Sequence, residues 1–109
     1  MAVFRILEGK ARPGAVERLA GLIAEQNTKV SGTQGALFSQ ALRSGDQVMA
    51  VSSWASEADM QRYLEREATR EFYRALPELL MGTPSIRTYE VIAGGDGAAG
   101  WPAGAGGRR

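Results

Sequence analysis

The side chains here that could do chemistry are few, and none is a histidine or a cysteine. That absence removes the commonest general base, the commonest nitrogen ligand of zinc and iron, every thiolate metal site and every histidine-based triad. No pair of carboxylates stands at a spacing that suggests an acid–base couple. What remains is aromatic, hydroxyl and guanidinium: Trp54 and Ser52 in "QVMAVSSW", Tyr63 in "EADMQRYL", Phe72, Tyr73 and Leu76 in "REFYRALPELL", and Arg5 in "AVFRILEGK". Such groups can stack on a planar molecule, donate hydrogen bonds to its oxygens and hold a negative charge.

Each candidate has a plainer alternative. Trp54 either stacks on an aromatic ligand or closes the gap between a strand end and the following helix. Ser52 lies two residues before it, so both share a strand face. Ser52 could bond a ligand oxygen or be a small half-buried strand residue. Tyr63 offers a phenol with an ordinary pKa of about 10, which suits an anchor or acid better than a base. Phe72, Tyr73 and Leu76 form an apolar patch, either pocket wall or core. Arg5 shares a face with Val3 and Leu7; it could hold a phenolate or carboxylate, or make a cross-strand ion pair with Glu90. No metal site is expected.

These residues need elements to position them. "AVFRILEGK" (2–10) reads as a strand, and "ARPG" as a turn into a helix. From Ala15, apolar residues fall at Val16, Leu19, Ala20, Ile23 and Val30, a helical spacing with one buried face. "SGTQG" ends that helix, with Gly32 or Gly35 available for a left-handed cap. "ALFSQALR" (36–43) and "QVMAVSSW" (47–54) read as a hairpin across "SGD". Ser56 caps a helix, with Asp59 three residues on. A second helical stretch, "TREFYRALPELLM", places Phe72, Leu76, Leu79 and Leu80 on one side, with a kink or restart at Pro77. "GTP" breaks it, and "SIRTYEVIA" (85–93) is the last strand.

The order is β-α-β-β-α-β, the ferredoxin-like α+β plan, with a four-stranded antiparallel sheet and helices on one face. Residues 1–93 form that domain; residues 94–109, "GGDGAAGWPAGAGGRR", read as a glycine- and alanine-rich disordered tail. The strands carry apolar side chains on both faces: Val48, Ala50 and Trp54 on one, Met49 and Val51 on the other. A second copy of the chain is the simplest cover for the face without helices.

The β-α-β-β-α-β order, the tryptophan-to-serine strand–helix join, "FYRALPELL" and the closing "RTYEVI" resemble the antibiotic biosynthesis monooxygenase family of the dimeric α+β barrel superfamily, over residues 2–93. The resemblance implies a homodimeric barrel, with a pocket in each chain between its own sheet and helices. It implies oxidation of an aromatic phenol, quinol or anthrone by O₂ without cofactor, Trp54 and Tyr63 serving the reaction and Arg5, Leu7, Ser52, Phe72, Tyr73 and Leu76 lining the pocket. Where phenol-oxygenating relatives carry asparagine and tyrosine, this chain has Ala50 and Met60, and Tyr63 stands where many carry histidine. In the haem-degrading branch the axial histidine and a first-strand asparagine fall near Tyr73 and Leu7. Losing both weighs against haem breakdown and leaves haem binding as the lesser alternative.

Charge narrows the partners. The net charge is +1, and the charges of residues 1–92 balance, which argues against nucleic acid or an anionic membrane as partner. RNA-recognition motifs share this element order, but "QVMAVSSW" lacks their aromatic signature. The charged residues within "MAVFRILEGKARPG" do not read as a signal peptide, and no run is long enough to span a membrane, so a cytoplasmic location is expected. The rival reading is a dimer of the same fold that binds or scaffolds without turnover. A cavity of a few hundred Å³ lined by Trp54 would favour the enzyme.

Overall fold

The computed structural model describes residues 1–94. The elements follow as β1 (Val3–Ala11), α1 (Val16–Ser31), β2 (Ala36–Ser44), β3 (Gln47–Trp54), α2 (Glu57–Leu64), α3 (Glu67–Ala75), a 3-10 turn (Leu76–Glu78) and β4 (Leu80–Glu90). The antiparallel sheet has the order β2-β3-β1-β4, the ferredoxin-like arrangement. The expected tail from Gly95 onward lies outside the described residues. Among the described residues no helix is long and apolar enough to cross a membrane.

Local chemistry explains most boundaries. Ser56 starts α2 as expected: its hydroxyl oxygen accepts the Asp59 backbone N–H at 3.1 Å, and its O–H reaches the Asp59 carboxylate at 2.9 Å. The expected left-handed helix cap at Gly32 or Gly35 is not made. Gly32 ends α1 with φ −93, and the positive φ of 88 falls at Gly35, beyond the helix.

The largest departure lies after α3. The helix ends at Ala75, Pro77 falls in the 3-10 turn, and the last strand begins at Leu80 rather than Ser85. "GTP" does not interrupt it, for two reasons. Gly82 takes φ 79 beside a register shift between Glu8 and Lys10, so a bulge absorbs the irregular residues. Pro84 sits on an edge strand, where a missing N–H is tolerated. Leu80 therefore pairs with Ala11 in the sheet and joins the core from a strand.

The helices cover one face of the sheet. Leu7 and Ala11 of β1, Val48 of β3 and Leu80 of β4 pack against Leu19 and Ile23 of α1 and Phe72 of α3. A second buried cluster gathers Val3, Val30, Trp54, Met60 and Tyr63 at the other end. Strand register lays the covered face out in rows. Ala41, Ala50, Leu7 and Ile86 form one, Ser39, Ser52, Arg5 and Thr88 the next, and Ala36, Trp54, Val3 and Glu90 a third. A polar row thus lies between two mainly apolar ones on the helix side of the sheet, with Ile86, Thr88 and Glu90 at its exposed β4 edge. The opposite face carries Phe4, Ile6, Phe38, Leu42, Met49, Val51 and Tyr89, with Leu42 and Tyr89 more than two-fifths exposed.

Candidate functional site

A cavity of about 40 Å³ lies where the polar row passes under the helices. The sheet supplies Arg5, Leu7, Ser39, Ala50 and Ser52. Helix α1 contributes Ile23, Gln26, Asn27 and Val30, α2 contributes Tyr63, and α3 contributes Phe72 and Tyr73. Walls from three helices and three strands explain why no short motif announces the site.

Its polar groups hold one another. Arg5 Nη2 donates to the Tyr73 hydroxyl oxygen at 3.0 Å, and the guanidinium carbon stands 5.9 Å from the Tyr73 ring centre. Trp54 Nε1 donates to Ser52 Oγ at 2.9 Å. Gln26 Nε2 donates to the Tyr63 hydroxyl oxygen, and the Thr69 side chain also bonds that hydroxyl. Burial raises the Tyr63 phenol above its ordinary pKa of 10, only partly offset by the bond from Gln26. Tyr63 is therefore a neutral phenol at physiological pH.

Of the residues singled out from sequence, Arg5, Leu7, Ser52, Tyr63, Phe72 and Tyr73 line this cavity. Trp54 and Leu76 do not. Trp54 is fully buried between the end of β3 and α2, its ring 5.0 Å from that of Tyr63 and tilted by 32°. Leu76 is buried in the main core. The alternative ion pair between Arg5 and Glu90 is not formed: Arg5 lies opposite Ser52 and Thr88, and Glu90 opposite Val3. Ala50 lines the wall, and Met60 packs beside Trp54 and Tyr63.

Sequence reading missed Gln26, Asn27 and Ser39. The signal for Gln26 was present. Between Ile23 and Val30 the helical spacing calls for an apolar residue at position 26 or 27, and both are amides. Gln26 is only 6% exposed. A polar side chain on an otherwise apolar helix stripe is held there by a partner, here the Tyr63 hydroxyl.

No protein-family model matches the sequence, and no curated protein matches it by sequence. The fold is shared with solved structures. A protein from Mycobacterium tuberculosis, Rv0793, superposes with a TM-score of 0.79 at 16% identity, over 84% of this chain and 96% of that one. A candidate antibiotic biosynthesis monooxygenase from Deinococcus radiodurans gives 0.77 at 16% identity, over 82% and 91%. A variant of SnoaB, a cofactor-independent oxygenase from Streptomyces nogalater, gives 0.73 at 16% identity, over 84% and 93%. The chain thus has the α+β fold of the antibiotic biosynthesis monooxygenase type. At these identities the likeness speaks for the fold.

Proposed function

We propose that the chain is a cofactor-independent oxygenase that oxidises a small phenol-, quinol- or anthrone-type molecule with O₂ in the cavity between its sheet and helices. One observation carries the reading. A guanidinium and two phenols converge on an otherwise mainly apolar cavity in a fold shared with a cofactor-independent oxygenase.

The chemistry asks little of the protein. A phenolate or enolate can pass one electron to O₂, giving superoxide and a carbon radical that combine to a peroxide. Loss of water then converts a ring CH₂ into C=O, so one O₂ yields one carbonyl oxygen and one water. The site must bind the ring, favour its anion and exclude bulk water. Arg5 favours the anion. Tyr63, protonated at neutral pH, donates to an oxygen of the substrate or product rather than taking a proton. The substrate's proton then leaves to solvent, and the rate should rise with pH until the bound substrate is ionised. Trp54 acts through Ser52, which it orients, and is a positioning residue.

The same reading includes a homodimer in the cytoplasm, with the open sheet faces paired. Two uncovered faces bearing Phe4, Ile6, Phe38 and Met49 would bury one another, and the helix-side cavity would remain in each chain.

A second reading has an observation in its favour. The cavity is close to the volume of a single water, about 30 Å³, and far below the 300 Å³ or more of ordinary ligand sites. Trp54 also packs instead of lining it. A binding or scaffold protein without turnover fits that closed state, and an oxygenase must part α3 from the sheet to admit a ring. O₂ uptake with a panel of hydroquinones and anthrones separates the readings. Substrate-dependent uptake that falls at least tenfold in Arg5→Gln supports the enzyme; no uptake with any of them supports the binding protein.

A further inference from the structure

We infer that this cavity is selective for oxygen anions, carboxylate or phenolate, that enter as hydrogen-bond acceptors, and that it discriminates against neutral isosteres carrying N–H donors. The inference deepens the proposed function, since it rests on the same cavity being the ligand site. It depends on the polarity of two hydrogen bonds whose direction is fixed by chemistry. An indole nitrogen and a guanidinium can only donate. Trp54 Nε1 therefore occupies an acceptor position of Ser52 Oγ, and Arg5 Nη2 occupies one of Tyr73 Oη. With those lone pairs engaged, each hydroxyl has its hydrogen to offer, and both residues line the cavity.

The charges of the wall agree. Arg5 brings a full positive charge, and among the described residues it forms no ion pair. None of the lining residues is an aspartate or glutamate. Register sets Arg5 directly opposite Ser52 on one sheet row, and both side chains line the cavity. Tyr73 reaches the same spot from α3. A charge and two donors on one small volume match the two oxygens of a carboxylate, or a phenolate oxygen with a neighbouring carbonyl. A ligand that brings a donor instead meets Arg5 with hydrogen against hydrogen and leaves buried groups unpaired.

The test is a paired titration of the full chain with benzoate and benzamide, equal in shape but opposite in charge and donor content, followed by NMR. Benzoate should bind roughly tenfold to a hundredfold tighter, the range of one hydrogen bond to a charged group. Its shifts should centre on Ser52 and Tyr73. In Arg5→Gln the preference should vanish. In Ser52→Ala, which keeps the charge, it should shrink about two- to fivefold. Equal affinities, tighter benzamide binding, or no binding of either below about 10 mM overturns the inference. The outcome is separable from turnover. Benzoate preference without O₂ uptake by any phenol leaves the anion site standing and removes the oxygenase. O₂ uptake by a protein indifferent to ligand charge does the reverse.

Discussion

The two faces of this sheet are made by the same strands and differ in what covers them. On β1, Phe4 and Ile6 point to the open side and Val3, Arg5 and Leu7 to the helices. The open side has the longer list of large apolar groups. The covered side contains the polar row of Ser39, Ser52, Arg5 and Thr88. A purely structural protein would be expected to reverse this, because polar groups under helices cost free energy unless each is bonded. Here Arg5, Ser39 and Ser52 are bonded to Tyr73, Ser31 and Trp54, and among the described residues no buried side-chain donor or acceptor lacks a partner. On the proposed reading, the covered face serves a ligand and the open face a second copy of the chain.

That contrast can be broken by substitution. The largest effect belongs to Trp54→Ala, which empties the junction of the two layers. Stability should fall by about 3–5 kcal/mol, read as a lower urea midpoint, with loss of the anchor on Ser52. A loss under about 1 kcal/mol would mean that Trp54 is not the packing residue its burial implies. Next comes Ile6→Glu on the open face. Wild-type protein is expected to sediment as a dimer at micromolar concentration. The substitution should weaken association by about 3 kcal/mol, roughly a hundredfold, and barely alter the fold of each chain. Wild type sedimenting as a monomer would refute the assignment of the open face to a second copy.

Tyr63→Phe sharpens the covered face further. Because burial raises the Tyr63 pKa, the folded state keeps its proton at pH values where the unfolded chain has already lost it. The favourable contribution is therefore complete below about pH 10 and is lost as pH rises through the folded value. Thermal stability of the wild type should fall more steeply above that pH than that of Tyr63→Phe; parallel curves would contradict the assignment. At neutral pH the substitution should cost about 1 kcal/mol for the bond from Gln26. The smallest effect is expected at Thr88→Ala, at the exposed end of the polar row, within about 0.5 kcal/mol by urea denaturation.

Legibility followed the range of the interactions. The Ser56 cap, the hairpin after Ser44 and the stripe of α1 depend on neighbours within a few residues, and all were visible as residue patterns. The start of β4 was not. "LLMGTP" has helix formers followed by two breakers, and only pairing with β1 across a bulge makes a strand of it. For the site, Arg5, Ser52, Tyr63 and Tyr73 stood out by type. Gln26 needed its partner to become meaningful, and the plain Ala50 in the wall carried no chemical signal at all.

Residue types and their spacing were enough for the element order, the alternation that gives each strand two faces, and the chemistry left to a chain without histidine or cysteine. These are local or compositional properties, set by dihedral preference, side-chain period and the inventory of groups. Tertiary structure alone decided which groups meet. It aligned Arg5 with Ser52 through strand register, brought Tyr73 onto Arg5 from 68 residues away, and withdrew Trp54 from the cavity to hold Ser52. Register and packing are settled by the whole core at once, so no stretch of residues could state them in advance.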